Sequence, residues 1–422
     1  MKKTPFNLLI SCFSLVLTMY SAQTMSQSSS IDQDSQQKLN QVLESPAKKK
    51  QSESFKLGQE ILKSRFSNWG IDPNTQSSIN ISDLWKNFTP DREVVVAVVD
   101  TGIDPEHPFL KDNIFVPNGK ASSTNFGLDF SKNAGQKLRP YDSHGHGTHV
   151  AGIIKSVFPN VKLLTLKYYN PSASGQDNLN STIAALKYAV EQNVDIINYS
   201  GGGPEPSKEE LKVLQEAERK GILIIAAAGN EESDIDNPTN AYYPASYGLS
   251  NIITVGAHDQ ALQMLTSSNF GKSSVHLTAP GHRIKSSLHN NRTGYLTGTS
   301  QATAFVSGVA ALLMSQYSKL TPNQVRDVII QSARKETSFS GRVSSGGRLD
   351  AAGAQKLAAT VVNQDNQIYR RDVATQRTPN SIGQIIFLKE GQQKEQKSEE
   401  SKNLEADKEA ETALIEELQA AN

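Results

Sequence analysis

The chain has 422 residues, 37 % of them hydrophobic, with 43 Lys plus Arg balanced by 43 Asp plus Glu. A formal net charge of zero leaves no global field to draw it to nucleic acid or to an acidic surface, so no nucleic-acid partner is expected. That length accommodates one large α/β domain or two ordinary ones with tails, and the composition does not suggest a membrane protein.

At the N-terminus Lys2 and Lys3 precede an apolar run from Phe6 to about Met19, too short to cross a bilayer as a helix. Residues 1–22 are therefore expected to be an export signal. Cleavage would fall near Ser21 or Ala22, although Met19 or Tyr20 then stands where a small residue is usual. Leu9-Ile10-Ser11-Cys12 also resembles a bacterial lipobox, which would end the signal at Cys12 and leave a lipid anchor there, the only route by which a membrane would be a partner. Cys12 is the only cysteine, so no disulfide supports the fold.

Residues 23–78 are polar, with Gln, Ser and Lys in excess and a Lys48-Lys49-Lys50 cluster, and are expected to be a pro-segment or linker. Within them Phe55, Leu57, Ile61, Leu62 and Phe66 have the spacing of one helix face. Ser82-Asp83-Leu84-Trp85 predicts a short capped helix at the start of a folded domain over 79–362. The first strong strand follows, because Val94 to Val99 is continuously apolar, as strands buried on both faces are. Five more strand-like runs lie at Val161–Tyr168, Val194–Tyr199, Ile222–Ala228, Ile252–Ala257 and Val275–Thr278. Helical stretches separate several of them, Thr182–Gln192 and Ser207–Lys220 being the clearest. The alternation predicts an α/β fold, a mainly parallel, doubly wound sheet with helices on both faces. A last helix is expected to about Val362. Residues 363–422 form a charged low-complexity tail, with 10 acidic and 5 basic residues after Leu388.

In such sheets chemistry collects at the C-terminal ends of strands. Two ends stand out: Val99 runs into Asp100-Thr101-Gly102-Ile103-Asp104, and Ile225 runs through Ala226-Ala227-Ala228-Gly229 into Asn230. A third feature is Gly298-Thr299-Ser300-Gln301-Ala302. There a hydroxyl sits at the mouth of an apolar helix running to about Tyr317, with Ala302, Phe305, Val306, Val309, Ala310, Leu312 and Leu313 at helical spacing. Unpaired N–H groups and the helix dipole at such a mouth favour negative charge, as an oxyanion intermediate requires; a plain N-cap is the simpler alternative.

The stretch Asp142 to Gly152 holds three of the eight histidines within six residues. His144, His146 and His149 have the H-x-H-x-D-H spacing of zinc hydrolases, but Thr148 replaces the Asp that pattern needs. A hydrogen-bonded structural role fits His144 and His149. His146, between Gly145 and Gly147, is free to project from a loop just before a helix expected near Thr148. A nucleophilic serine needs a base, and the base a carboxylate to hold its tautomer. Ser300, His146 and Asp100 can fill those roles.

These three motifs, Val98-Val99-Asp100-Thr101-Gly102, His146-Gly147-Thr148-His149-Val150-Ala151-Gly152 and Gly298-Thr299-Ser300-Gln301-Ala302, resemble the active-site motifs of the subtilisin family of serine proteases, in the family's order Asp, His, Ser. Tyr243-Pro244-Ala245, Val255-Gly256-Ala257 and Ser268-Asn269-Phe270-Gly271 extend the resemblance over roughly Val94 to Val362. It implies a subtilisin-like fold and an Asp100–His146–Ser300 triad, with an oxyanion hole built from the Asn230 side chain and the Ser300 N–H. It also implies a substrate pocket walled by Ser200-Gly201-Gly202 on one side and Ala226-Ala227-Ala228-Gly229 on the other, with Ser174-Gly175-Gln176 near the adjoining edge strand. Small residues on both walls predict a roomy pocket that admits a large apolar or aromatic side chain, while Glu231 at its rim would also favour a basic one. Ala304 and Phe305 stand where many relatives carry Pro and His, and Gly201 where Leu is common; both departures would border the cleft.

Relatives often wrap a structural calcium just after the helix of the His motif. Here Gly152 runs through Ile153-Ile154-Lys155-Ser156-Val157-Phe158-Pro159-Asn160 directly to Val161, offering no carboxylate. No cofactor and no metal site are expected. The sequence thus points to an exported, monomeric serine endopeptidase, secreted, periplasmic or lipid-anchored, that acts on protein or peptide substrates. An inactive peptide-binding relative and a zinc hydrolase using His144, His146 and His149 are the alternatives.

Overall fold

A computed structural model describes residues 46–132 and 137–375. The signal and lipobox at 1–22 and the tail beyond 375 lie outside the described residues. The chain divides into two compact units, Met1–Ala358 and Ala359–Asn422, and the architecture below belongs to the first.

The apolar run at Val94 becomes strand β1, Val95–Asp100, whose inner residues are all buried. The remaining strands are β2, Leu128–Asp129; β3, Lys162–Lys167; β4, Ile196–Tyr199; β5, Leu223–Ala227; β6, Ile252–His258; β7, Leu277–Pro280; β8, Ile284–Leu288; β9, Arg292–Leu296; β10, Arg334–Lys335; and β11, Gly347–Arg348. Nine of them form one sheet in the order β10-β11-β7-β6-β5-β4-β1-β3-β2. Every pairing in it is parallel except β10 with β11. Strands β8 and β9 make a separate antiparallel hairpin.

The helices are α1, Pro46–Lys63; α2, Ile81–Lys86; α3, His146–Val157; α4, Gly175–Glu191; α5, Lys208–Arg219; α6, Thr299–Gln316; α7, Pro322–Gln331; and α8, Ala351–Thr375. Successive strand residues point to opposite faces, and the two faces carry different helices. Ala97, Val99, Ile197 and Tyr199 join a core with Ile183, Leu186 and Val190 of α4 and Val213, Leu214 and Ala217 of α5. Asn198, between Ile197 and Tyr199, faces the other way and accepts the Ser307 hydroxyl of α6 at 2.8 Å. Helix α6 is buried along almost its whole length, which is why its sequence is apolar all round instead of striped. It lies against α3 so closely that a Cβ on Gly308 would come 2.6 Å from Val157 Cβ.

Two expectations change. The folded body begins upstream of residue 79: Ile61, Phe66, Ile71 and Ile79 are buried, and Trp69 Nε1 donates to the His282 carbonyl at 2.9 Å. The C-terminal part of 23–78, expected as pro-segment or linker, therefore packs on the core through apolar side chains spaced in a polar background. Helix α2 starts one residue earlier than expected. Asn80 precedes it in the left-handed region and makes no side-chain cap bond. Packing holds it instead, with Leu84 and Trp85 fully buried and Trp85 Nε1 donating to the Val157 carbonyl at 2.8 Å.

Candidate active site

Strand β1 delivers Asp100 to the C-terminal edge of the sheet, 3 % exposed. Its Oδ1 accepts the Thr101 N–H at 2.7 Å and lies 2.7 Å from Nδ1 of His146, the first residue of α3. A carboxylate can only accept, so this contact assigns the His146 proton to Nδ1 and leaves Nε2 as a base. The His146 side chain stays 23 % exposed, open to a substrate. Burial pulls its pKa down, but the Asp100 charge and hydrogen bond, helped by the Asp142 charge, outweigh it and hold the pKa above the ordinary histidine value.

The loop that carries His146 is fixed by a residue not singled out from the sequence. Asp142 is fully buried. Its Oδ1 accepts the Thr101 hydroxyl at 2.8 Å and the N–H groups of His144 and Gly145 at 3.1 and 2.7 Å; its Oδ2 accepts the Thr148 N–H at 2.8 Å and hydroxyl at 2.6 Å. Those donors outweigh the upward pull of burial and keep its pKa below the usual carboxylate range. Thr101 Oγ1 in turn accepts the Gly147 N–H at 2.9 Å, tying the end of β1 to the first turn of α3. The approach needs glycine: a Cβ on Gly147 would sit 2.2 Å from the Gly102 carbonyl oxygen.

Ser300 lies in the first turn of α6, 7 % exposed, after Gly298 at φ 154°. Its hydroxyl donates to the Ser200 carbonyl at 3.0 Å, at the end of β4. Beside it Asn230 follows β5, and Asn230 Oδ1 accepts the Thr299 N–H at 2.9 Å. That bond fixes the amide orientation and presents Nδ2 as the free donor. Asp100, Asn230 and Ser300 thus come from three elements and meet at one sheet edge with His146.

A sequence model described as the Subtilase family matches residues 91–368. The chain belongs to the subtilase family. It is a serine endopeptidase. Among its relatives, the major intracellular serine protease of Bacillus subtilis (strain 168) is 37 % identical over 246 residues, 56 % of this chain and 73 % of the relative. Subtilisin of Bacillus pumilus is 38 % identical over 253 residues, 57 % of this chain and 83 % of that protein. Subtilisin E of Bacillus subtilis (strain 168) is 37 % identical over 253 residues, and there the match spans 60 % of the relative's length.

The other histidines of this subtilase do not converge on a metal. His149 is buried within α3, and its Nε2 points at the carbonyls of Ile284 and Gly294, 3.0 and 3.3 Å away, pinning both strands of the β8–β9 hairpin. Burial, then the nearby His146 charge, lowers its pKa to about 4. The His144 and His146 rings meet edge to face at 6.3 Å. His146 turns to Asp100 and His149 to backbone, and among the described residues no cluster of three or more such ligands forms.

Around Ser200–Gly202 and Ala226–Gly229 the space is not roomy. A Cβ on Gly201 would lie 2.4 Å from the Tyr168 hydroxyl, one on Gly202 2.4 Å from Tyr242 Cε1, and one on Gly229 2.4 Å from both Asn269 Nδ2 and Glu231 Oε2 and 3.1 Å from Tyr242 Cδ2. The small residues make room for other side chains of the subtilase itself, tyrosines among them. Ala226, Ala227 and Ala228 are buried, Ala226 against the α4–α5 core and Ala228 in a second cluster with Ile235 and Met264. Ser174 caps α4, accepting the Asp177 N–H at 3.1 Å, because the polar first turn is helical from Gly175 onward. Gly175 and Gly202 line a cavity of about 420 Å³ together with Tyr168, Leu179, Glu210 and Tyr243. Phe305 does not border the cleft; it is fully buried, and its ring abuts Gly70.

Proposed function

We propose that this subtilase cleaves peptide bonds through Ser300, His146 and Asp100. The observation that carries it is the 2.7 Å contact between Asp100 Oδ1 and His146 Nδ1 at the same sheet edge as Ser300. In the Michaelis complex the Ser300 hydroxyl turns from the Ser200 carbonyl to His146 Nε2, since catalytic hydrogen bonds often form only with substrate in place. Oγ attacks the peptide carbonyl as His146 takes its proton, and Asp100 stabilises the imidazolium. Asn230 Nδ2 and the Ser300 N–H take the charge of the tetrahedral oxygen. Collapse of that intermediate breaks the C–N bond, with His146 returning the proton to the leaving amine. Water then releases the acyl group by the same route. Purified Ser300→Ala should fold like the parent, hydrolyse no casein and lose labelling by a serine-directed phosphonyl or sulfonyl reagent. Cleavage by the folded variant at the parent's rate would refute the assignment, and loss of the parent's activity in chelator alone would favour metal chemistry.

The finer expectations carry their own support. The lysines and apolar run of residues 1–22 support export, which N-terminal sequencing of the mature protein tests together with lipidation at Cys12. The direct connection from α3 to β3 supports stability without calcium. Of other nearby carboxylates, Asp104 already accepts the Glu106 and Asn290 N–H groups, and Asp129 the N–H and hydroxyl of Ser131. Ser300→Ala, which cannot digest itself, should melt at nearly the same temperature in millimolar calcium and in EDTA; a drop of several degrees in EDTA would show a tight site elsewhere.

A further inference from the structure

The two glycines that face each other across the cleft, Gly202 and Gly229, hold the ring of Tyr242 between them. Its Cε1 edge approaches Gly202 and its Cδ2 edge Gly229, so the ring spans the gap between the two segments. The backbone on either side is fixed. The Tyr242 N–H donates to Ser246 Oγ at 3.0 Å, and its carbonyl accepts the Ser246 N–H at 2.8 Å. Tyr243 exchanges both backbone hydrogen bonds with Gly203, at 3.0 and 2.8 Å, clamping this segment to the strip that forms one wall. The inner side of the ring packs on the cluster of Ala228, Ile235, Ala245 and Met264. Swinging it out would expose that apolar surface and leave a void, whereas forcing a second large side chain in beside it would overpack the site. Burial, then the Glu231 charge, raises the Tyr242 hydroxyl well above its ordinary pKa, so it stays a neutral phenol across the working range.

We propose that Tyr242 fills the primary side-chain pocket and restricts the residue on the acyl side of the scissile bond to Gly, Ala or Ser. This rests on the reading that Ser200–Gly202 and Ala226–Gly229 flank that residue in an active peptidase. Glu231 gives no preference for a basic residue there, because its carboxylate lies against Gly229 and its Oε2 already accepts the Asn269 amide at 2.6 Å.

The test is a set of internally quenched peptides, alike except at that one position, assayed with the full chain, with Ser300→Ala, and with Tyr242→Gly and Tyr242→Phe. With the parent, kcat/KM should be about 100-fold higher for Ala than for Phe, Leu or Lys, a span within what one apolar pocket can discriminate. Tyr242→Phe, which keeps the ring, should keep that order. Tyr242→Gly should reverse it, raising cleavage at Phe at least about tenfold, and its melting curve reports whether the loop still folds. A parent that prefers Phe, Leu or Lys overturns the proposal and leaves the peptidase reading standing, as does a folded Tyr242→Gly with an unchanged order. Cleavage that survives Ser300→Ala, or no cleavage at any position, overturns the peptidase reading and this proposal with it.

Discussion

The Thr299 N–H donates to Asn230 Oδ1 at 2.9 Å, and the Thr299 hydroxyl approaches the same oxygen at 3.3 Å. Thr299 opens the helix that carries Ser300, so the group proposed to stabilise the oxyanion is oriented by the nucleophile's own neighbour. The two parts of the site cannot shift independently.

Asn230→Ala should therefore lower kcat by about 10²–10³ with KM nearly unchanged, because Nδ2 meets its partner mainly after charge has developed; the size is that known for one such donor in subtilisin itself. Steady-state kinetics on one peptide decide it. A raised KM with kcat preserved would move Asn230 to ground-state binding.

The pH dependence of kcat/KM reports His146 in the free enzyme. Activity should rise with pH as the imidazolium loses its proton, with a midpoint above the ordinary histidine value of about 6.5, because Asp100 and Asp142 favour the charged form. Asp100→Asn should move the midpoint down and cut kcat by about 10⁴, a scale taken from subtilisin and related triads. A midpoint that stays put in the folded variant would separate His146 from Asp100.

His149 should behave in the opposite sense, and on stability instead of turnover. Its pKa is lowered to about 4 in the folded chain. Below about 6.5 the unfolded chain takes up a proton that the folded chain refuses, so stability falls as pH drops from about 6.5 to 4 and loses nothing more to this group below that. The full effect is about 3 kcal/mol. His258 and His276 are also lowered by burial, to about 3 and about 4, so the parent's slope sums several groups. His149→Gln keeps an amide donor for the Ile284 carbonyl without the titration. Denaturant melts across this range should show a shallower fall for the variant; parallel curves would contradict a neutral, buried His149.

Asp142→Ala removes one buried acceptor from five donors and should destabilise by about 3 kcal/mol or more. Turnover should fall as well, since Thr101 would lose the partner that aims it at the Gly147 N–H. An unchanged melting temperature would mean that the loop is held by something else.

Chain-local features were legible without coordinates. The unbroken valines before Asp100, the glycines around His146 and the small residues before Ser300 are each constrained by their own neighbours, so strand, loop and helix mouth could be placed within a residue or two. The β8–β9 hairpin was not read, because Ile284–Leu288 and Arg292–Leu296 carry too few apolar residues to show a period. Its turn at Asn290-Asn291, both at positive φ, was the signal available. Asp142 was passed over because a buried carboxylate is recognisable only from the five donors that fold around it. The glycines show the limit most sharply: Gly201, Gly202 and Gly229 spelled open space in the sequence, and only the fold, which bridges Tyr243 to Gly203, brought the ring of Tyr242 against Gly202 and Gly229. A glycine states that no side chain grows from its own Cα. What enters the space is settled by residues distant in sequence, through packing that the local pattern does not encode.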